Sequence, residues 1–257
     1  MTPVPEPVLP GQCHVWSLPT DQVPPVLLGL LDADERQRYD RCLVADAKAL
    51  YLAAHVLVRL VLAAQTGRDP AALRFAASCK GCGGAHGKPR LLDAGAPLEF
   101  SLSHSGQLAV VAVSHGTEGA VPVGVDVERV AERTTGLPEA VLTPAERAEL
   151  ARLPAADQSA GLIRYWARKE AVLKATGDGL SVGPRRLSVS APDRPPRLLD
   201  WSAKVELAGG LDAVYLSDLD FGPGYRGAVA TLGRPTRVVE RDVSDTATLL
   251  AGVGRIR

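Results

Sequence analysis

The stretch Gly124-Val125-Asp126-Val127-Glu128 alternates small or apolar residues with carboxylates, which predicts a β-strand with one buried face. Residues two apart in a strand point to the same face, so valines 123, 125 and 127 are expected to face the core. Asp126 and Glu128 would then lie side by side, about 6.5–7 Å apart along the strand. Like charges repel at this spacing. The pair therefore indicates either a site for a hard divalent cation or a solvated strand edge with Arg129 as partner.

A second charged stretch, Trp166-Ala167-Arg168-Lys169-Glu170-Ala171-Val172-Leu173-Lys174, falls within a helical pattern at residues 157–176. Glu170 and Lys174 are four residues apart and share one face of that helix. A glycine turn, Gly177-Asp178-Gly179-Leu180, follows directly. The charged face is interpreted either as an ordinary ion pair on a helix surface or as one wall of a functional site.

Two further stretches carry candidate phosphate-binding groups. In Phe100-Ser101-Leu102-Ser103-His104-Ser105-Gly106 the apolar residues are expected to be buried, and Ser103, His104 and the turn amides could bind phosphate oxygens. The alternative is a plain hairpin turn with small polar residues. Gly87-Lys88-Pro89 places a lysine on a stiff loop, where its ammonium can act as a point charge on phosphate.

The remaining pattern predicts two α+β halves with the same order of elements. The first half has a strand at residues 14–18, two helices within residues 32–66 and a hairpin at residues 98–114. The second half has the strand described above, a helix that opens at Thr143-Pro144, and the helix at residues 157–176. Further strands are expected at residues 187–190, 203–207, 213–216 and 227–232.

This repeat predicts an α+β fold in which the two halves form a pseudo-dimer around a cleft, and clefts between domains commonly bind ligands. The first half is expected to span residues 1–118 and to contact the cofactor. The second half, residues 119–232, is expected to carry the metal-binding and catalytic residues, and residues 233–257 to form a peripheral C-terminal tail.

Composition excludes several classes of protein. Hydrophobic residues make up 46% of the 257, enough for a folded core. The 29 basic and 29 acidic residues balance, whereas nucleic-acid binders usually carry a basic excess. The first ten residues lack a signal-peptide layout, and the apolar run at 56–64 is interrupted by Arg59 and too short to span a bilayer. We therefore expect a cytoplasmic protein that binds neither nucleic acid nor membrane, with reduced cysteines.

A cysteine-rich loop precedes Gly87. Cys79 and Cys82 form a C-x-x-C pair and His86 follows, whereas a structural zinc site takes four ligands. Cys13 or His14 could supply the fourth if the first strand passes nearby. Reduced, metal-free loop cysteines are the favoured interpretation, and a structural zinc site is the alternative.

Together and in this order, the four charged or polar stretches resemble the 4'-phosphopantetheinyl transferase superfamily, in its large two-lobed Sfp-type branch. The resemblance covers about residues 30–232. It implies transfer of the 4'-phosphopantetheine arm of coenzyme A to a serine of an apo acyl carrier or peptidyl carrier protein, with release of adenosine 3',5'-bisphosphate. The carriers of this family serve fatty-acid, polyketide or nonribosomal-peptide biosynthesis. A monomer is expected, because one chain contains both halves of the cleft.

The resemblance also implies roles for single residues. Asp126, Glu128 and Glu170 would hold Mg²⁺, or Mn²⁺ in its place. Glu170 would accept the proton of the attacking serine, directly or through a metal-bound water, and Lys174 would stabilise the departing bisphosphate. The residues implied to bind coenzyme A are Lys48, Lys88, Ser103, His104, Lys169 and Lys174, with His104 near the 3'-phosphate.

Two alternatives come from other classes of protein. A catalytically inactive module that binds carrier protein or coenzyme A would be expected to have lost part of its acidic triad. An unrelated Mg²⁺-dependent phosphoesterase would keep the carboxylates but would not need Lys88, Ser103 and His104. Turnover of coenzyme A that requires an apo carrier protein distinguishes the transferase from both.

Overall fold

The computed structural model describes residues 6–77, 84, 87–92, 95, 97–116, 119–130, 137–179, 182–203, 206–241, 246 and 250. In these residues the predicted α+β fold is confirmed, since each half packs a 22-residue helix against a sheet of its own. The boundary expected near residue 118 stays a prediction.

The first half is built on a four-stranded sheet. Its strands are β1 (Gln12–Pro19), β4 (Leu98–Ser105), β5 (Leu108–His115) and β11 (Arg237–Arg241), in the order β11-β1-β5-β4. β5 pairs antiparallel with both β1 and β4, which confirms the predicted hairpin, and β11 runs parallel to β1. The helices are α1 (Ala33–Arg41) and α2 (Ala45–Thr66), and the short strands β2 (Phe75–Ala77) and β3 (Pro89–Leu91) pair with each other.

The second half is built on a three-stranded antiparallel sheet. Its strands are β6 (Val123–Arg129), β9 (Val214–Leu219) and β10 (Tyr225–Leu232), with β10 in the centre. Helix α5 (Ala155–Thr176) packs across β6 and β10. The remaining elements are α3 (Leu137–Val141), α4 (Pro144–Leu150), β7 (Leu187–Val189) and β8 (Leu198–Trp201).

The ends of the two long helices follow local sequence signals. α2 ends at Gly67 (φ 69°) and α5 at Gly177 (φ 74°), and both glycines adopt the left-handed conformation that commonly terminates helices. α4 begins with a capping box in which Thr143 and Glu146 bond each other's backbone amides. Because α5 ends at Gly177, Glu170 and Lys174 both lie in its C-terminal part.

Helix α2 forms the centre of the first core. By length and composition it is the one described helix apolar enough to cross a membrane, yet it packs among Trp16, Leu18 and Phe100. Arg59, which was expected to interrupt its apolar run, is fully buried within it. The guanidinium is neutralised by Glu35 and Asp32 and donates to two backbone carbonyls, so its burial leaves no unpaired charge.

A separate core joins the two sheets. Val123, Val125 and Val127 are fully buried there, which confirms the face predicted from their alternation. They pack against Cys13 and Val15 of β1, on the opposite side of the first sheet from α2. The described parts of the two halves therefore share an apolar interface.

Two details differ from the pattern expected. The strand predicted at residues 203–207 is wrong, since the described part of that range is irregular and β8 lies earlier, at Leu198–Trp201. Burial of Leu198 against the second core sets the earlier position. The stretch predicted as a peripheral tail contributes β11, which is an edge strand of the first sheet.

Candidate active site

A pocket of about 240 Å³ lies where β4 of the first half meets β6 and α5 of the second. It brings together three of the four stretches singled out in the sequence. The lining residues are Leu102, Ser103, His104, Asp126, Glu128, Trp166, Glu170 and Lys174.

The close contact between β6 and α5 depends on Gly124. A β-carbon at this position would overlap the carbonyl oxygen of Ala171 and the amide nitrogen of Ala175. Because strand side chains alternate, Gly124, Asp126 and Glu128 share one face of β6, and that face is turned toward α5. The missing side chain lets the helix backbone rest on the strand and brings Glu170 close to Asp126.

Asp126 is almost fully buried at the floor of the pocket. Its Oδ1 accepts hydrogen bonds from Ser103 Oγ (2.8 Å) and Lys174 Nζ (2.7 Å). Its Oδ2 has no hydrogen-bond partner among the described residues. Burial raises the pKa of Asp126 because it penalises the charged form, and the nearby Lys174 ammonium opposes that shift.

Glu128 is held by one donor from each half. Ser105 Oγ donates to Glu128 Oε2 (2.6 Å) and Trp166 Nε1 donates to Glu128 Oε1 (3.1 Å). Trp166 begins the charged stretch of α5 that was singled out in the sequence. The structure adds a polar role, since its indole N–H orients a carboxylate.

Glu170 is buried, and its Oε1 has no hydrogen-bond partner in the part of the chain that the structure describes. Desolvation, followed by the negative charge of Asp126, raises the pKa of Glu170 to about 7. A carboxyl group with such a pKa exchanges its proton near neutral pH. This is the range in which general acid–base catalysis is most effective.

The donor set fits a hard divalent cation. Mg²⁺ prefers carboxylate oxygens, and the pocket offers two buried, unpartnered ones, Asp126 Oδ2 and Glu170 Oε1. Within the described residues, however, no three His, Cys, Asp or Glu side chains already form a ligand cluster. Protein donors hold both oxygens of Glu128 and the Oδ1 of Asp126. The magnesium assignment therefore stays a prediction.

The position of Lys169 differs from the one expected for the coenzyme A contact that the resemblance implied. Its side chain is fully buried, and its Nζ bonds Glu146 Oε2 (2.6 Å) and the carbonyl of Val141 (2.9 Å). Successive residues of an α-helix point about 100° apart, so Lys169 cannot share the face of its neighbour Glu170. Lys169 instead ties α5 to α3 and α4, away from the pocket.

Arg168 precedes Lys169 in α5, and it too makes a buried ion pair that holds the helix in place. It is fully buried and binds both carboxylate oxygens of Asp218 on β9, at 2.8 and 2.7 Å. It also donates to the carbonyls of residues 190, 191 and 194. Lys169 and Arg168 thus fix the rotation of α5 that turns Glu170 into the pocket.

Of the other residues predicted to contact coenzyme A, two line the pocket and two do not. His104 is exposed at the rim of the pocket, and Ser103 lines it but donates its proton to Asp126. Lys88 pairs with Glu99 of β4 (2.9 Å), and Lys48 lies over the ring of Tyr39 at 5.1 Å. Neither of these two lysines lines the pocket.

The proposed zinc ligands Cys79, Cys82 and His86 lie outside the described residues, so that alternative stays untested. Of the two candidate fourth ligands, Cys13 is fully buried between the sheets, where desolvation raises its pKa to about 12. His14 is engaged by Gln12 and Arg241.

Several residues that shape the site were not singled out from the sequence. Ser105 bonds Glu128, and Glu146 anchors Lys169. The alternation of Ser101, Ser103 and Ser105 could have indicated a polar strand face. Only the structure shows that this face is turned toward β6.

A model of the family described as the 4'-phosphopantetheinyl transferase superfamily matches residues 122–217. The 4'-phosphopantetheinyl transferase HetI of Nostoc sp. is 31% identical over 198 residues, which cover 74% of this chain and 79% of that protein. The 4'-phosphopantetheinyl transferase ffp of Bacillus subtilis is 27% identical over 203 residues, 79% and 83% of the two chains. The 4'-phosphopantetheinyl transferase AcpT of Salmonella typhimurium is 38% identical over 114 residues, 42% and 58%. This chain therefore belongs to the 4'-phosphopantetheinyl transferase superfamily, in its large Sfp-type branch.

Proposed function

We propose that this protein transfers the 4'-phosphopantetheine arm of coenzyme A to a serine of an apo acyl or peptidyl carrier protein. The products are the holo-carrier protein and adenosine 3',5'-bisphosphate. The observation that carries the proposal is Glu170, a buried carboxylate with an unpartnered oxygen and a pKa of about 7, beside Asp126 and Lys174.

In this reaction the carrier serine attacks the phosphorus atom that bears the pantetheine arm. A bond forms between the serine Oγ and phosphorus, and the bond from phosphorus to the oxygen of the adenosine bisphosphate breaks. We propose that Glu170 accepts the serine proton, directly or through a bound water, because without a cation the pKa of this buried carboxyl lies at about 7.

Lys174 is assigned to the charge of the leaving group. Its side chain is about one quarter exposed, so the ammonium can reach a ligand in the pocket while Asp126 holds it in place. A fixed cation aimed at the developing negative charge lowers the barrier for bond cleavage. Departure of the bisphosphate is then favoured without prior protonation.

Asp126, Glu128 and Glu170 are the residues proposed to hold Mg²⁺. The cation would neutralise the pyrophosphate and support the leaving group. It would also balance the negative charge of Asp126, which adds to the desolvation that raises the pKa of Glu170.

Coenzyme A would enter from the side of β4. His104, exposed at the rim, is proposed to contact the 3'-phosphate, and Ser103 to support the site through Asp126. Because β4 and α5 of one chain supply both walls of the pocket, we also propose that the protein acts as a monomer.

The test is release of adenosine 3',5'-bisphosphate from coenzyme A, measured by chromatography with an apo carrier protein, without one, and with a carrier whose acceptor serine is alanine. The transferase predicts release only with the intact carrier. Release in all three samples would indicate a phosphoesterase. Binding of coenzyme A without release in any sample would favour the inactive binding module.

A further inference from the structure

Three serines of β4 face β6 at the interface between the two halves. Ser101, Ser103 and Ser105 alternate along the strand and share one face, and each makes a hydrogen bond to β6. The three bonds differ in kind. Ser101 Oγ accepts from the amide of Val125 (3.1 Å), whereas Ser103 and Ser105 donate to carboxylates.

The hydroxyl proton of Ser105 has a fixed direction. Its oxygen accepts a hydrogen bond from the amide of Arg129 (3.1 Å) and lies 2.6 Å from Glu128 Oε2. A hydroxyl has one proton. Because the Arg129 amide already donates to the Ser105 oxygen, that proton points toward the Glu128 carboxylate, which can only accept. A hydrogen bond to a charged acceptor at this distance is among the stronger ones in proteins.

The backbone around Ser105 is also held in place. The turn that follows it contains Gly106, whose φ of 59° favours glycine and where a β-carbon would meet Arg129 and Tyr225 at 2.9 Å. The next amide, that of Gln107, donates to the hydroxyl of Tyr225 on β10 (3.0 Å). The end of β4 is therefore anchored to both β6 and β10.

We propose that Ser105 is a positioning residue that orients Glu128 for the cation, so that the first half of the chain sets the geometry of a carboxylate on the second. This inference rests on the proposed function, since it concerns the same site. Partners of metal ligands fix the orientation of the ligand, and their loss typically weakens metal binding about 10- to 100-fold.

The test is an electron paramagnetic resonance titration of Mn²⁺ with the full-length protein, for wild type, Ser105→Ala, Ser105→Thr and Ser101→Ala. Ser105→Ala is expected to raise the Kd for Mn²⁺ about tenfold, and Ser105→Thr, which keeps a hydroxyl, to restore it. Ser101→Ala is the matched control, because it removes a hydroxyl from the same strand face that bonds only a backbone amide. It is expected to lower Tm and leave the Kd unchanged.

A double-mutant cycle with Glu128→Gln shows whether Ser105 acts through that carboxylate. In the Glu128→Gln background, Ser105→Ala should produce no further rise in the Kd. If Ser105→Ala fails to fold, a Kd for Ser105→Thr far above that of wild type would overturn the inference, and a wild-type value would support it.

The two levels of the proposal fail in different ways. Wild-type protein that binds Mn²⁺ and transfers phosphopantetheine, with an unchanged Kd in Ser105→Ala, overturns the role of Ser105 alone. If Ser105→Ala and Ser101→Ala raised the Kd for Mn²⁺ equally, the cause would be a general disturbance of the contact between β4 and β6. That result would also overturn the role of Ser105. Wild-type protein with neither Mn²⁺ binding nor transfer overturns both the inference and the proposed function.

Discussion

Gly124 lies directly against the backbone of α5, where a β-carbon would overlap the carbonyl oxygen of Ala171. This contact sets the distance between the strand that carries Asp126 and the helix that carries Glu170. Backbone atoms of a packed helix cannot move aside as a flexible side chain can. The pocket therefore depends on a residue that contributes no chemical group to it.

The first prediction concerns this contact. Gly124→Ala should push β6 away from α5 and lower the free energy of unfolding by about 2–3 kcal/mol, in the upper range for overpacking. Folded protein that remains should have lost most of its transfer activity. Urea denaturation and the bisphosphate-release assay measure the two effects.

Gly29→Ala provides the control, because that glycine has open space around it and no unusual backbone angle. It should match wild type in both assays. If Gly124→Ala also unfolds at the wild-type urea concentration, the close contact between strand and helix does not exist in solution.

The second prediction follows from the pKa of Glu170. Its rise from 4.5 to about 7 means that the folded state binds the proton more tightly than the unfolded state does. The resulting stability is complete below about pH 4.5 and is lost as the pH rises through about 7. In metal-free buffer, wild type should therefore lose roughly 2–3 kcal/mol relative to Glu170→Gln between these values.

Denaturant unfolding of both proteins at several pH values, in the presence of EDTA, measures this difference. Glu170→Gln should be the more stable protein at pH 8 while lacking transfer activity. If the free energy of unfolding varied with pH in the same way for both proteins, burial would not raise the pKa of Glu170. The argument for Glu170 as the base would then be lost.

The third prediction separates two lysines of α5. Lys169→Met breaks a buried ion pair and leaves Glu146 unpaired, which should cost about 3–5 kcal/mol of stability. The KM for coenzyme A of the protein that remains folded should stay near the wild-type value. Lys174→Met should show the reverse pattern, with a smaller loss of stability and loss of transfer, because Lys174 lines the pocket.

Thermal unfolding and steady-state kinetics with varied coenzyme A measure both variants. A Lys169→Met protein of wild-type stability with a strongly raised KM for coenzyme A would instead indicate that Lys169 contacts coenzyme A directly.

Much of this arrangement could be predicted from the sequence, because its signals are local. Alternation in the strand identified the buried valines and the paired carboxylates Asp126 and Glu128. A spacing of four residues placed Glu170 and Lys174 on one helix face, and Gly177 predicted where that helix ends. Each of these inferences needs only the period of a single element.

The remaining features depend on contacts between elements that are distant in sequence. Lys169 and Glu170 are adjacent in sequence, and only the packing of α4 shows that one is buried on the far side. The sequence indicated Ser103 as a candidate phosphate ligand, and only the placement of β6 shows that Ser103 and Ser105 donate to carboxylates. The strand β11 joins β1 across more than 200 residues, so no local pattern indicates that pairing.

The most direct test of the central claim is the intact mass of an apo carrier protein after incubation with this protein, coenzyme A and Mg²⁺. We predict a mass gain of one phosphopantetheine unit at the carrier serine, which is lost with EDTA and with the Glu170→Gln and Asp126→Asn variants. An unmodified carrier across fatty-acid, polyketide and nonribosomal-peptide types, with folded wild-type protein, would contradict it.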